Sequence, residues 1–187
     1  MEELLIYKTD FPKSWSFLGS PEEAAQIPLE HKDQIHFLNE EGSKWVRQYL
    51  HFSKMIGANK EPTWSPFYQD YFKETKCIEN ADDDDEIIKK WLYNLGIPFK
   101  NYVLVDEDRS GHSVLLSWKM VIKYWHGLFF PVDTVVFDLS LNWCVYFWHE
   151  DWIFYGKNNT FDKEAEYQKT LWINELRKNS AKSKQGL

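Results

Sequence analysis

The longest run of apolar positions in the chain is DTVVFDLSLNWCVYFWHEDWIFYGK, which covers residues 133–157. Its first part, VVFDLSLN, combines β-branched and aromatic residues with polar ones and predicts a strand followed by a turn. Six consecutive apolar residues at 143–148 are too few to span a membrane and favour a strand with both faces covered. Residues 152–155 predict an antiparallel return strand that ends at Gly156. The pattern therefore predicts a three-stranded meander, with residues 143–148 as the central strand of its sheet.

Apolar residues at helical spacing predict helices on both sides of this meander. One helix begins near Asn39 and stops near Gly57, and another begins at the capping residue Ser65. The remaining predicted elements are an edge strand over residues 4–7, a helix over 86–95, a hairpin of 102–105 and 113–116, a helix from 117 to 127, a strand over 128–130, and a final helix over 162–178.

These elements predict an α+β fold, in which a single antiparallel sheet packs against helices. The sheet is expected to contain about four to six strands, which is an ordinary number, drawn mainly from residues 101–157. At 187 residues the chain is within the range of one domain. We expect one α+β domain over residues 1–178 and a flexible tail over residues 179–187. The large apolar residues expected in the core are Trp91, Trp118, Trp125, Val145, Phe147 and Trp172, and Leu171 is expected to be buried on the final helix.

Composition narrows the classes of function. Aromatic residues make up 18% of the chain, which predicts a substantial core, while a mean hydropathy of −0.56 indicates a soluble protein. The net charge of −7 argues against nucleic acid as the main partner, because phosphate binding needs a concentrated basic surface. The chain has two cysteines and no signal-peptide pattern at its start, which predicts a cytoplasmic protein. We expect no membrane association and no cofactor.

The acidic run from Asp82 to Glu86 lacks the alternating ligands and the glycine of a calcium-binding loop. Its plainest interpretation is the solvated start of a helix. Alternatively, the run and a second acidic turn at residues 106–108 form a landing surface for a cationic partner. No metal site is expected, because the cysteines and histidines lack the paired spacing of zinc ligands.

His149, Glu150 and Asp151 place an imidazole beside two carboxylates. A histidine with a shifted pKa could act there as a base or a pH sensor. The plainer interpretation is a hairpin corner, where polar residues are common. The tryptophans at the predicted strand ends, which are either core residues or anchors of an interface, are Trp143, Trp148 and Trp152.

The motif D-x-S-x-x-W-C-x-Y-F-x-H-E-D-x-x-x-Y-G resembles the C-terminal β-meander of bacterial immunity proteins, which neutralise polymorphic or contact-dependent toxins in the cytoplasm. The resemblance covers about 25 of the 187 residues. The matching residues are Asp138, Ser140, Trp143, Cys144, Tyr146, Phe147, His149, Glu150, Asp151, Tyr155 and Gly156. The resemblance implies a binding protein without catalytic activity.

The function predicted from the resemblance and the acidity is that of an immunity protein, which binds a protein partner such as a basic nuclease toxin domain and occludes its active site. A small enzyme or ligand-binding domain with a pocket near His149 and Glu150 is an alternative, and an adaptor protein is another. The residues predicted to bind the partner are Asp82, Asp83, Asp84, Asp85, Glu86, Asp106, Glu107, Asp108, Trp148, His149, Glu150 and Asp151.

Overall fold

The computed structural model describes residues 2–10, 25–59, 64–79, 85–107, 111–129 and 132–160, together with residues 162, 164, 167 and 171. The described helices are a 3₁₀ helix Glu2–Tyr7, α1 Leu29–Lys32, α2 Glu40–Ser53, α3 Asp85–Tyr93, α4 Trp118–Lys123 and α5 Trp125–Leu128. The described strands are β1 Lys8–Thr9, β2 Ile35–Leu38, β3 Ile56–Asn59, β4 Ser65–Phe67, β5 Phe72–Glu79, β6 Tyr102–Glu107, β7 Val114–Ser117, β8 Thr134–Phe137, β9 Trp143–Trp148 and β10 Trp152–Asn159. The predicted α+β class is confirmed.

The main sheet has eight antiparallel strands in the order β1-β2-β7-β6-β8-β9-β10-β5. The predicted meander is β8-β9-β10, and the predicted hairpin is β6-β7. The expected count of four to six strands is too low, because β1, β2 and β5 join from the N-terminal half of the chain. The prediction that residues 143–148 form the central strand is also wrong, since β9 is sixth of eight and the middle positions belong to β6 and β8.

Both faces of this sheet are covered, which explains why β2, β7 and β8 are buried at every position and do not alternate. One face packs against α3, α4 and α5, with Ile88, Leu92, Trp118, Val121, Trp125 and Leu128 inside. The other face packs against the 3₁₀ helix, α2 and the β3-β4 ribbon, with Leu4, Val46, Met55 and Phe67 inside. We call them the α3 face and the α2 face.

The predicted core is largely confirmed. Trp118, Trp125, Val145 and Phe147 are buried, and all four belong to the cluster on the α3 face. Trp91 is partly buried and packs against the same cluster. Two expectations for the final helix have different outcomes: Leu171 is 42% exposed, so its predicted burial is wrong, whereas Trp172 lies outside the described residues. The tail expected over residues 179–187 also lies outside them.

Three N-terminal predictions are wrong for local reasons. Residues 4–7 belong to the 3₁₀ helix, and the edge strand is the two-residue β1 that follows. Helix α2 starts after Asn39 as predicted, but it stops at Lys54, which adopts a left-handed φ of 56°, three residues before Gly57. Ser65 begins the short strand β4 and not a helix, because the aromatic residues that follow pair in β4 and β5 on either side of a turn at Asp70.

Two predictions near the meander also need correction. The helix predicted over residues 117–127 is divided at Tyr124 into α4 and α5, and Leu128 ends α5 where a strand was expected. Gly156 does not end its strand, since β10 continues to Asn159. Its small size serves packing, because a Cβ atom at Gly156 would lie 2.2 Å from Cδ2 of Phe72 on the neighbouring strand.

Candidate functional site

The strand register aligns five strands at one end of the main sheet, where several polar residues follow or precede them. Glu107, Thr134, Phe147, Ile153 and Ile78 form one row across β6, β8, β9, β10 and β5. Four interstrand spacings of about 4.8 Å make this row about 20 Å wide. The carboxylates just beyond the row, which we call the acidic end, belong to Glu79, Asp133, Glu150 and Asp151. Asp106 lies one position inside the row, opposite Val135.

Asp133 organises the centre of the acidic end. One of its oxygens accepts hydrogen bonds from the backbone N–H of His149 at 3.0 Å and from the ring Nδ1 of His149 at 2.7 Å. The other oxygen accepts a hydrogen bond from the Tyr146 hydroxyl at 2.8 Å. These bonds attach the β9-β10 turn to the residue before β8, so the imidazole has a defined position although it is largely exposed to solvent.

The same contacts shift the titration of both partners. The hydrogen bond to Asp133 raises the pKa of His149 above its usual value, and the negative charges of Asp133 and Glu150 act in the same direction. Partial burial opposes ionisation of Asp133, but hydrogen bonds from His149 and Tyr146 outweigh it, so the pKa of Asp133 is lowered. Both residues are therefore favoured in their charged forms, His149 as the imidazolium and Asp133 as the carboxylate.

An aromatic cluster lies beside this pair. The ring of Trp148 stacks on Trp64 with 4.0 Å between centroids, and Phe154 meets the edge of Trp64 at 5.3 Å. Trp152 is tilted against Phe154 at 6.3 Å. Trp148 and Trp152 stay partly exposed, so they can contribute apolar contact area to a partner. Trp143 is only 8% exposed and is a core residue, which excludes it as an interface anchor.

The structure separates the two predicted acidic turns. Asp106 accepts a hydrogen bond from Ser113 at 2.6 Å and lies 3.4 Å from Arg47 of α2. Asp85 pairs with Lys89 and accepts a hydrogen bond from the Trp125 indole at 2.7 Å. Since α2 and α3 cover opposite faces of the sheet, Asp85 and Asp106 do not share one surface.

Burial opposes ionisation of Asp85, but the bonds from Lys89 and Trp125 outweigh it and lower its pKa. This carboxylate therefore stabilises the start of α3, as the plainer interpretation of the acidic run proposes. Glu86 is exposed on the same helix. Asp82, Asp83, Asp84 and Asp108 lie outside the described residues, and Glu107 is placed only through the backbone of β6.

The first part of the resemblance motif is a turn structure. Asp138 accepts hydrogen bonds from the backbone N–H of Ser140 at 2.8 Å and from the Trp143 indole at 2.7 Å. The Ser140 hydroxyl in turn accepts the backbone N–H of Asn142 at 3.1 Å. Leu141 adopts a φ of 56° in this turn. These residues of the D-x-S-x-x-W segment therefore stabilise the turn between β8 and β9, so this part of the motif has a structural role.

The described residues provide little for other types of site. Among them, no group of three or more His, Cys, Asp or Glu side chains is arranged to hold a metal ion. A groove of about 590 Å³ lies on α3 and α4, and its lining residues are Glu86, Ile87, Lys89, Lys90, Tyr93 and Ile122. Neither His149 nor Glu150 lines it. Within the described ranges, every helix is too short or too polar to cross a membrane.

Sequence reasoning missed Asp133, which is sixteen residues before His149. Its position directly before a predicted strand was a weak signal, but the contact depends on the β8-β9 register. Comparison with protein-family models, with curated protein sequences and with solved structures found no match to this chain.

Proposed function

We propose that this protein is an immunity-type inhibitor, which binds a cationic toxin domain, such as a nuclease, and blocks its active site without catalysing a reaction. The observation that supports this proposal is the acidic end, where exposed carboxylates of the β9-β10 turn lie beside the partly exposed rings of Trp148 and Trp152. The proposal places the protein in the cytoplasm, where such an inhibitor meets its toxin.

The physical argument combines charge with an apolar anchor. Glu150 and Asp151 are exposed, and their turn is held by the bonds between His149 and Asp133, so a partner meets carboxylates at defined positions. Carboxylates so placed attract the lysines and arginines that hold a nucleic-acid backbone, which speeds association and favours one orientation. Tryptophan next to such charges supplies the desolvated contact that slows dissociation.

The experiment uses the product of the neighbouring reading frame as the partner. We expect co-expression of this chain to restore the growth of cells that make that product, and the purified pair to form a complex. The variant Glu150→Gln/Asp151→Asn should slow association and make it less dependent on salt, because two steering charges are lost. Asn tolerates the left-handed backbone of Asp151, whose φ is 61°, so the turn is expected to persist.

Glu30→Gln is the matched control, since this exposed glutamate lies on α1. Helix α1 precedes β2 at the end of the sheet opposite the acidic end. It should leave the association rate within about twofold of wild type, because exposed charges far from an interface act weakly. If the double variant associates at the wild-type rate at every salt concentration, the acidic end is not the binding surface. If the neighbouring product neither binds nor is neutralised, the immunity function is wrong for that partner.

The Asp133–His149 pair supports a second candidate function, in which His149 transfers protons to or from a small substrate. The Asp133 carboxylate on Nδ1 orients the imidazole, and Nε2 lies 3.7 Å from the exposed Glu150 carboxylate, so His149 can donate a proton as the imidazolium or accept one as the neutral ring. His149→Gln distinguishes the two candidates. Neutralisation of a toxin should survive this substitution, because the backbone N–H at residue 149 still bonds to Asp133 and holds the turn, whereas an activity that depends on the imidazole should be lost.

A further inference from the structure

Strand β5 forms one edge of the main sheet and is long for an edge strand. It pairs with β10 through seven residue pairs over residues 72–79, and no described strand pairs with its outer side. All its residues from Lys73 to Cys77 are exposed. Such an edge presents unpaired backbone N–H and C=O groups, which can accept another strand.

Charged side chains usually protect an edge strand from pairing, and β5 carries several. Lys73, Glu74 and Lys76 surround the neutral Thr75. Whether these charges block pairing with a second copy depends on the register, because only residues directly opposite each other interact strongly.

Symmetry limits the possible registers for two copies of β5. A two-fold axis perpendicular to the sheet keeps each face on its own side, so opposed residues must belong to the same face. A residue at the axis must therefore face its own copy. If the axis lies at Lys73, Glu74 or Lys76, identical charges face each other across it. If the axis lies at Cys77, only residues 75–79 of each copy can pair.

An axis at Thr75 avoids both the facing like charges and the short overlap. Thr75 then faces its own copy, and Glu74 of each chain faces Lys76 of the other, so two pairs of opposite charges form. Lys73 faces the uncharged Cys77. We propose that β5 binds β5 of a second copy in this register, so that the two main sheets join into one continuous antiparallel sheet.

The side chains of the two charged residues are placed for this role. One oxygen of the Glu74 carboxylate lies 3.0 Å from Lys157 of its own chain, and the other accepts a hydrogen bond from Asn158 at 2.6 Å. The side chain is 56% exposed, and each oxygen has a second lone pair that can accept a further cation. The Lys76 ammonium lies 5.6 Å from the centre of the Trp91 ring and 5.5 Å from that of Tyr155, which orders it on the α3 face. Both side chains occupy the same face because they are two residues apart.

Cross-linking tests the register directly. In the background Cys77→Ser, the variant Thr75→Cys should form an intermolecular disulfide on mild oxidation, because opposed Cα atoms are about 4.5 to 5.5 Å apart. The matched control is Lys73→Cys in the same background. Its two copies would be about 14 Å apart along the strands, too far for a disulfide. Equal cross-linking of both variants, or of neither, overturns the proposal.

Charge reversal tests the proposed register a second time, without a cross-link. By analytical ultracentrifugation, Glu74→Lys and Lys76→Glu should each weaken dimerisation about tenfold or more, since each puts two like-charge pairs into the interface. The double reversal should restore the dimer. Circular dichroism of each variant checks that the fold is intact. A chain that stays monomeric at all concentrations, or a double reversal no better than the single ones, contradicts the proposal.

Discussion

Replacing Asp133 by asparagine changes the centre of the acidic end while keeping its shape. The variant loses the acceptor for the Tyr146 hydroxyl and the charge that faces His149, and it keeps one oxygen for the backbone N–H of His149. A neutral hydrogen bond contributes about 0.5 to 1.5 kcal/mol, and Asp133 is about one-third exposed. We therefore expect the free energy of unfolding to fall by about 1 kcal/mol.

The pH dependence of this loss follows from the two pKa shifts. The raised pKa of His149 contributes stability that is complete below its usual pKa of about 6.5 and is lost as pH rises through the folded-state value. The lowered pKa of Asp133 contributes stability that is present above its usual pKa of about 3.9 and is lost as pH falls through the folded-state value. The difference between wild type and variant should therefore be largest between about pH 4 and 6.5.

Urea denaturation at a series of pH values measures this difference, and NMR titration of the imidazole measures the pKa of His149 directly. In Asp133→Asn that pKa should fall toward its usual value. Glu150→Gln is the control, since it removes a nearby charge without removing any of the three hydrogen bonds of Asp133. Its stability should stay within about 0.5 kcal/mol of wild type. A loss that is constant over the whole pH range would refute the ionic pairing.

Three further predictions concern stability and are measured by chemical denaturation. Gly156→Ala should lower the free energy of unfolding by about 1 to 3 kcal/mol, because the new methyl group overlaps the Phe72 ring, and a second substitution Phe72→Leu should recover part of the loss. Trp148→Ala should cost about 2 to 3 kcal/mol, less than a fully buried tryptophan, because it removes the stack on Trp64 from a partly exposed position. Leu92→Ala should cost about 2 to 5 kcal/mol, since Leu92 lies on the buried side of α3 and is fully buried, and a loss below 1 kcal/mol would contradict its place in the core.

The sequence was most informative where burial alone determines the pattern. The meander and the β6-β7 hairpin were predicted because uninterrupted apolar runs of strand length are compatible with few structures other than a buried strand. The aromatic residues of 65–72 occur at helical spacing and so predict a helix, yet strand pairing and the turn at Asp70 determine their structure. Strand β5 was missed because its exposed residues carry no apolar alternation.

At the candidate site, too, local pattern predicts some features and strand register determines the others. His149, Glu150 and Asp151 lie on the predicted turn between two strands, which follows from local polarity alone. The bond from His149 to Asp133 depends on which residues of β8 and β9 face each other, and no local pattern contains that information. The opposite positions of Asp85 and Asp106 depend in the same way on which face each helix covers.

The closed packing on both faces of the sheet has a consequence for how this protein can evolve. Side chains in the interior rows are in contact on all sides, so most changes there reduce stability. The turn residues Glu150 and Asp151 project beyond the last row, where substitutions have small effects on folding. If this turn binds a partner, as we propose, selection can alter its recognition while the scaffold stays the same, so that closely similar chains could diverge toward different partners without losing their fold.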